Sequence, residues 1–138
     1  MVKPRPNVWF AADFPDDTVY DDDGNELQFA GQNVAKAIGE ILAAYGYRME
    51  EPENEEHKGW SMNAHRNGLR FWMLVTAIDG FILQTQDMTR RLWPDRAAFP
   101  AFLRDLHAGL SADPRFSQLR WWAKEWPPEE EESFPEPV

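Results

Sequence analysis

The densest candidate for chemistry in this 138-residue chain is the run Asp21-Asp22-Asp23-Gly24-Asn25-Glu26, four carboxylates and a carboxamide around a glycine. Oxygen ligands at a glycine turn suit calcium, but a calcium loop of the EF-hand kind spreads them over about twelve positions. With Gly24 at the sharp turn, the first ligand position falls on Val19 and the last on Ala30, and neither offers a side-chain oxygen. The run therefore reads as an acidic surface loop without a metal. Asp16, Asp17, Asp21, Asp22, Asp23 and Glu26 are its candidates for receiving basic side chains.

The three histidines, His57, His65 and His107, are too far apart for a metal motif, and there is no cysteine to complete one. Ser61, Ser111, Ser117 and Ser133 lie in no Gly-x-Ser-x-Gly elbow. Neither a Gly-x-Gly-x-x-Gly turn nor a Walker loop occurs. The chain is thus expected to be non-catalytic, with no catalytic residue, no cofactor and no metal.

The seven tryptophans say more. Trp9, Trp60 and Trp72 fit strand patterns and read as core or sheet-packing residues. Trp93, Trp121, Trp122 and Trp126 are harder to bury together, because Trp121 and Trp122 are neighbours and face opposite sides of a strand. One of that pair is expected under a helix and the other on a more open surface. Tryptophan and arginine concentrate at binding hot spots, and Arg90, Arg91, Arg96 and Arg120 are close in sequence, so these four tryptophans join the partner-binding candidates.

Charge is segregated. Residues 1–58 carry a net −8, residues 59–126 a net +3 and residues 127–138 a net −5, for −10 overall. Acidic flanks steer a protein toward basic partners and repel duplex DNA, whose binding depends on phosphate neutralisation. Residues 1–6 lack the apolar stretch of a signal peptide, and no run approaches the roughly 18 apolar residues of a membrane span. A soluble cytoplasmic protein that binds no membrane is expected.

The elements that position these residues are partly explicit. Asn67-Gly68 and Asp79-Gly80 lie between apolar runs and favour type I′ hairpin turns. They predict a meander of strands near 60–65, 69–78 and 81–86, with 69–78 central or covered on both faces. A first strand is expected at 7–12, a further one at 47–51 and a last one at 119–126. The polar stretch 52–58 reads as an exposed loop. Val34, Ala37, Ile38, Ile41, Leu42 and Tyr45 form one stripe of a helix over 28–45, with Gly46 as its C-cap and Gly39 placed for close approach to the sheet. Phe99, Phe102, Leu103, Leu106 and Leu110 form a second stripe, starting near Ala98 so that Pro100 falls in the first turn. The fold class is α+β, an antiparallel meander sheet with two amphipathic helices packed mainly on one face. Residues 1–126 form the domain, and 127–138 an acidic Pro/Glu-rich tail without structure of its own.

The succession Val34-Ala35-Lys36-Ala37-Ile38, Tyr45-Gly46-Tyr47, Gly59-Trp60 and Leu69-Arg70-Phe71-Trp72 resembles the small α+β immunity proteins that bacteria encode beside their toxins. The resemblance spans roughly residues 30–110. It implies a basic toxin or effector protein as partner, neutralised by occlusion of its active site. The chain also resembles type III secretion chaperones, which are small, acidic and dimeric, although those open with a long helix and this chain opens with a strand. That likeness implies an adaptor holding an effector, as a homodimer formed through 119–126. An acidic inhibitor that mimics nucleic-acid charge shares the same composition.

Overall fold

The computed structural model describes residues 3–93, 95–124 and 133–138. The chain runs β1 (Asn7–Ala12), β2 (Val19–Tyr20), β3 (Glu26–Gln28), α1 (Gln32–Ala44), β4 (Arg48–Met49), β5 (Glu53–Glu55), β6 (Gly59–Arg66), β7 (Leu69–Ala77), β8 (Phe81–Asp87), α2 (Ala98–Ala112) and β9 (Phe116–Trp122). The main sheet has the order β4-β6-β7-β8-β1-β9, with β5 also on β6, and every pairing is antiparallel. β2 and β3 form a separate two-stranded sheet. The fold is α+β.

Paired residues across a sheet share a face. Trp60, Val75, Leu83, Val8 and Trp121 form one such row, and Met62–Met73 and Ala64–Phe71 lie parallel to it. This face carries both helices. Val34, Ile38 and Leu42 of α1 and Phe102, Leu103, Leu106 and Leu110 of α2 join it in one buried cluster. The Phe71 and Phe102 rings stack at 4.3 Å, with the Tyr47 ring edge-on to both. The opposite face has the row Ser61, Leu74, Gln84, Asn7 and Trp122.

Local chemistry sets the boundaries. Asn67 and Gly68 take φ of 50° and 79°, as a type I′ turn requires. Ala77 pairs with Phe81, so the second turn holds three residues and is wider than its Asp-Gly pair predicts. α1 ends as expected. Gly46 N–H reaches Ala43 O and Tyr47 N–H reaches Leu42 O, a Schellman closure with Gly46 at φ 92°. Its start is later than expected because the Asp17 carboxylate accepts from the Gly31 and Asn33 N–H groups and fixes the first turn there.

Several expectations are corrected. Residues 52–58 are not all loop, since Glu53, Asn54 and Glu55 pair with Ser61, Trp60 and Gly59. The last strand begins at Phe116 and contains a bulge, where Gln118 (φ 59°) and Leu119 together oppose Phe10. The structureless tail expected over 127–138 does not extend to 133–138. Phe134 exchanges both backbone hydrogen bonds with Trp121 at 2.7 and 2.8 Å, Arg5 N–H donates to Pro137 O, and Val138 packs on the core. Residues 127–132 lie outside the described residues.

Gly39 is not a close-approach position, because a β-carbon there would meet only Met49, at 3.9 Å. The close glycine is Gly109 of α2, where a β-carbon would stand 2.2 Å from Ile41 Cγ2. Gly39→Ala therefore adds helix propensity at no steric cost and is expected to stabilise the fold by about 0.5–1 kcal/mol, read as a higher urea midpoint.

Candidate protein-binding surface

The acidic loop is a built hairpin. Asp21 organises its turn: one carboxylate oxygen accepts the Asp23 and Asn25 N–H groups at 2.9 Å, the other accepts Asn25 Nδ2, and Asp21 N–H donates to Asn25 O. These bonds, led by that from the Asn25 backbone, hold the Asp21 carboxyl below its ordinary range. Asp16 is held low in the same way, first by the Thr18 hydroxyl at 2.6 Å and then by the Thr18 N–H. Asp17 is spent on α1.

Three of the six predicted acids thus shape the loop, and Asp22, Asp23 and Glu26 present exposed carboxylates. Beside them stand apolar side chains that sequence reasoning missed. Tyr20 is 55% exposed, Leu27 is 58% exposed, and Val19 is exposed as well. The signal was there, in Val-Tyr and Leu flanking an acidic glycine turn, where exposed apolar groups have no core to serve. A recess of about 780 Å³ opens at the base of the hairpin, with Asp16, Glu26 and Asp79 on its walls and Lys58 also lining it.

The tryptophans separate. Trp121 is fully buried under α2, where its Nε1 donates to His107 Nδ1 at 3.1 Å, so it is withdrawn from any partner surface. Trp122 faces the other side, as alternation requires, but it too is buried. Trp126 lies outside the described residues. Among the described residues of the four, Trp93 alone stands in solvent, at 82% exposure, next to Leu92 at 93%. Both sit in the loop from β8 to α2, where Arg91 is anchored on Asp87 at 2.7 Å.

Two of the side chains weighed for metal or nucleophilic chemistry have partners within the fold. His65 pairs with Glu50, whose carboxyl it holds low, and Ser61 donates to Glu55 at 2.6 Å. Among the described residues, no three His, Asp or Glu side chains are grouped to hold a metal, and no helix is long and apolar enough to cross a membrane. The chain matches no family model, no curated protein and no solved structure.

Burial pushes His107 below the ordinary imidazole range, against an opposing effect of the Glu136 carboxylate. The folded state favours the neutral ring, so the unfolded state binds more protons. Stability from this site is complete above the unfolded pKa near 6.5 and declines as pH falls through it. The urea midpoint is expected to drop between about pH 7.5 and about pH 5.5, and His107→Gln, which keeps an acceptor for Trp121 without titrating, should flatten that drop. An unchanged slope in the variant would assign the effect to another group.

Proposed function

We propose that this chain is a non-catalytic, cytoplasmic protein-binding module that neutralises a basic toxin by occluding its active site, in the manner of small bacterial immunity proteins. The observation that carries the reading is the acidic β2–β3 hairpin, tied by Asp16, Asp17 and Asp21 while it displays Asp22, Asp23, Glu26, Tyr20 and Leu27. A pre-ordered hairpin loses little entropy on binding, and apolar anchors ringed by carboxylates suit a partner with a basic, partly apolar surface. Direct binding to duplex DNA is disfavoured by the same charge.

The adaptor reading is weaker on one particular point. A homodimer formed through the last strand needs its outer edge, and Phe134 already pairs with Trp121 there. An inhibitor of a nucleic-acid enzyme would use the same hairpin, and partner capture separates it from a toxin antagonist. The test is co-expression with the product of the neighbouring gene. The expected result is a toxic product rescued by this chain and a stoichiometric complex on co-purification. A harmless product that forms no complex overturns the reading.

A further inference from the structure

The sheet face away from the helices holds a groove of about 560 Å³, lined by Leu74 and Ile82 with Trp72, Ile78 and Trp122. That volume lies within the range of small-molecule sites. Trp122 is 2% exposed, and its indole Nε1 is buried with no acceptor among the described residues. Native folds rarely leave such a donor unsatisfied. At the β5–β6 end of the groove stands Lys58, whose ammonium makes no ion pair among the described residues. Of the other polar groups in the lining, Glu55 accepts the Ser61 hydroxyl at 2.6 Å and the Thr76 hydroxyl donates to Lys58 O at 2.8 Å, and His57 and Gln84 complete it. The groove thus has the Lys58 ammonium and the Glu55 carboxylate in its lining, Trp122 with its unmet N–H, and apolar side chains.

We propose that this groove binds a medium-length acyl carboxylate bearing a distal hydroxyl or carbonyl oxygen. Its carboxylate lies on Lys58, its chain over Leu74 and Ile82, and its distal oxygen on Trp122 Nε1. The polarity follows from desolvation: an anion belongs at the exposed ammonium and a neutral acceptor at the buried indole. Length follows from the sheet. β6 and β9 are four strand spacings apart, roughly 19 Å, and a chain of medium length spans what the two side chains leave open. Lys58 also lines the recess at the base of the hairpin, but no hairpin residue lines the groove, so failure of the acyl site leaves the toxin-binding reading intact.

Calorimetric titration with decanoate, ω-hydroxydecanoate and decanol tests it. Both carboxylates are expected to saturate a single site, with the hydroxylated one about tenfold tighter. Trp122→Phe removes the N–H and should bring the two within about twofold of each other. Lys58→Ala, at an exposed turn, should weaken both carboxylates about tenfold and leave decanol unchanged. The proposal is overturned if neither carboxylate saturates, as when a water occupies Nε1. It is equally overturned if the preference for the hydroxylated chain survives in Trp122→Phe, or if Lys58→Ala binds like wild type.

Discussion

Gly59→Ala is expected to be the most damaging of the glycine-to-alanine substitutions in this protein, lowering stability by roughly 3–5 kcal/mol, from overpacking and left-handed strain together. Gly59 opens β6 at φ 133°, and a β-carbon there would stand 2.0 Å from Val75 O. The obstacle is backbone of β7, a strand with neighbours on both sides, so it cannot yield as a side chain would. The next residue, Trp60, is anchored through Nε1 to Phe29 O at 2.8 Å, so β6 cannot slide away without detaching the segment that leads into α1. Gly109 makes an instructive comparison. Its β-carbon would meet Ile41 Cγ2 at 2.2 Å, a methyl on the branched β-carbon of a partly buried side chain in α1; that side chain is stiff at χ1, yet it yields at lower cost than sheet backbone. Urea unfolding of the two alanine variants should rank Gly59 well below Gly109. A Gly59→Ala protein within about 1 kcal/mol of wild type would show that β6 and β7 can separate without penalty.

How far the sequence disclosed this molecule depended on how local the determining contact was. The first strand, the glycine closure of α1 and the start of α2 are each set by residues within a few positions, and all were legible. The Gly59-Trp60 pair was visible as a motif, while the steric reason for its glycine lies sixteen residues away at Val75. β5 was missed because Glu53-Asn54-Glu55 has no apolar alternation; it is an edge segment held by backbone pairing to β6 and by the Ser61 to Glu55 bond. The start of α1 was misplaced because its capping carboxylate, Asp17, is fourteen residues upstream of Gly31. Alternation placed Trp121 and Trp122 on opposite faces correctly. It could not say that both would be buried, since that depends on what lies over the second face. Among the six acids, composition could not separate those that fold the hairpin from those that face solvent, because the difference is made by hydrogen bonds to Thr18, Asn25 and Asn33.

That separation dictates how the binding surface should respond to mutation. Asp22→Asn, Asp23→Asn and Glu26→Gln together remove three exposed charges without touching the bonds that hold the hairpin. Binding to the captured partner should weaken by roughly 1–3 kcal/mol, mainly through slower association with a shallower salt dependence. Tyr20→Ala with Leu27→Ala removes the apolar anchors and keeps every charge. The loss should be larger, roughly 2–4 kcal/mol, and should fall on the dissociation rate, because desolvated aromatic and aliphatic contacts hold a complex after charge has steered it together. Asp21→Ala gives a third signature. It leaves the exposed carboxylates in place but frees the turn, so the hairpin must be ordered on binding, at a cost of about 1 kcal/mol or more. Surface plasmon resonance at two salt concentrations distinguishes the three patterns. If the charge and anchor variants both bind like wild type while Trp93→Ala abolishes the complex, the contact surface is the loop between β8 and α2, where Leu92 and Trp93 stand exposed beside Arg91.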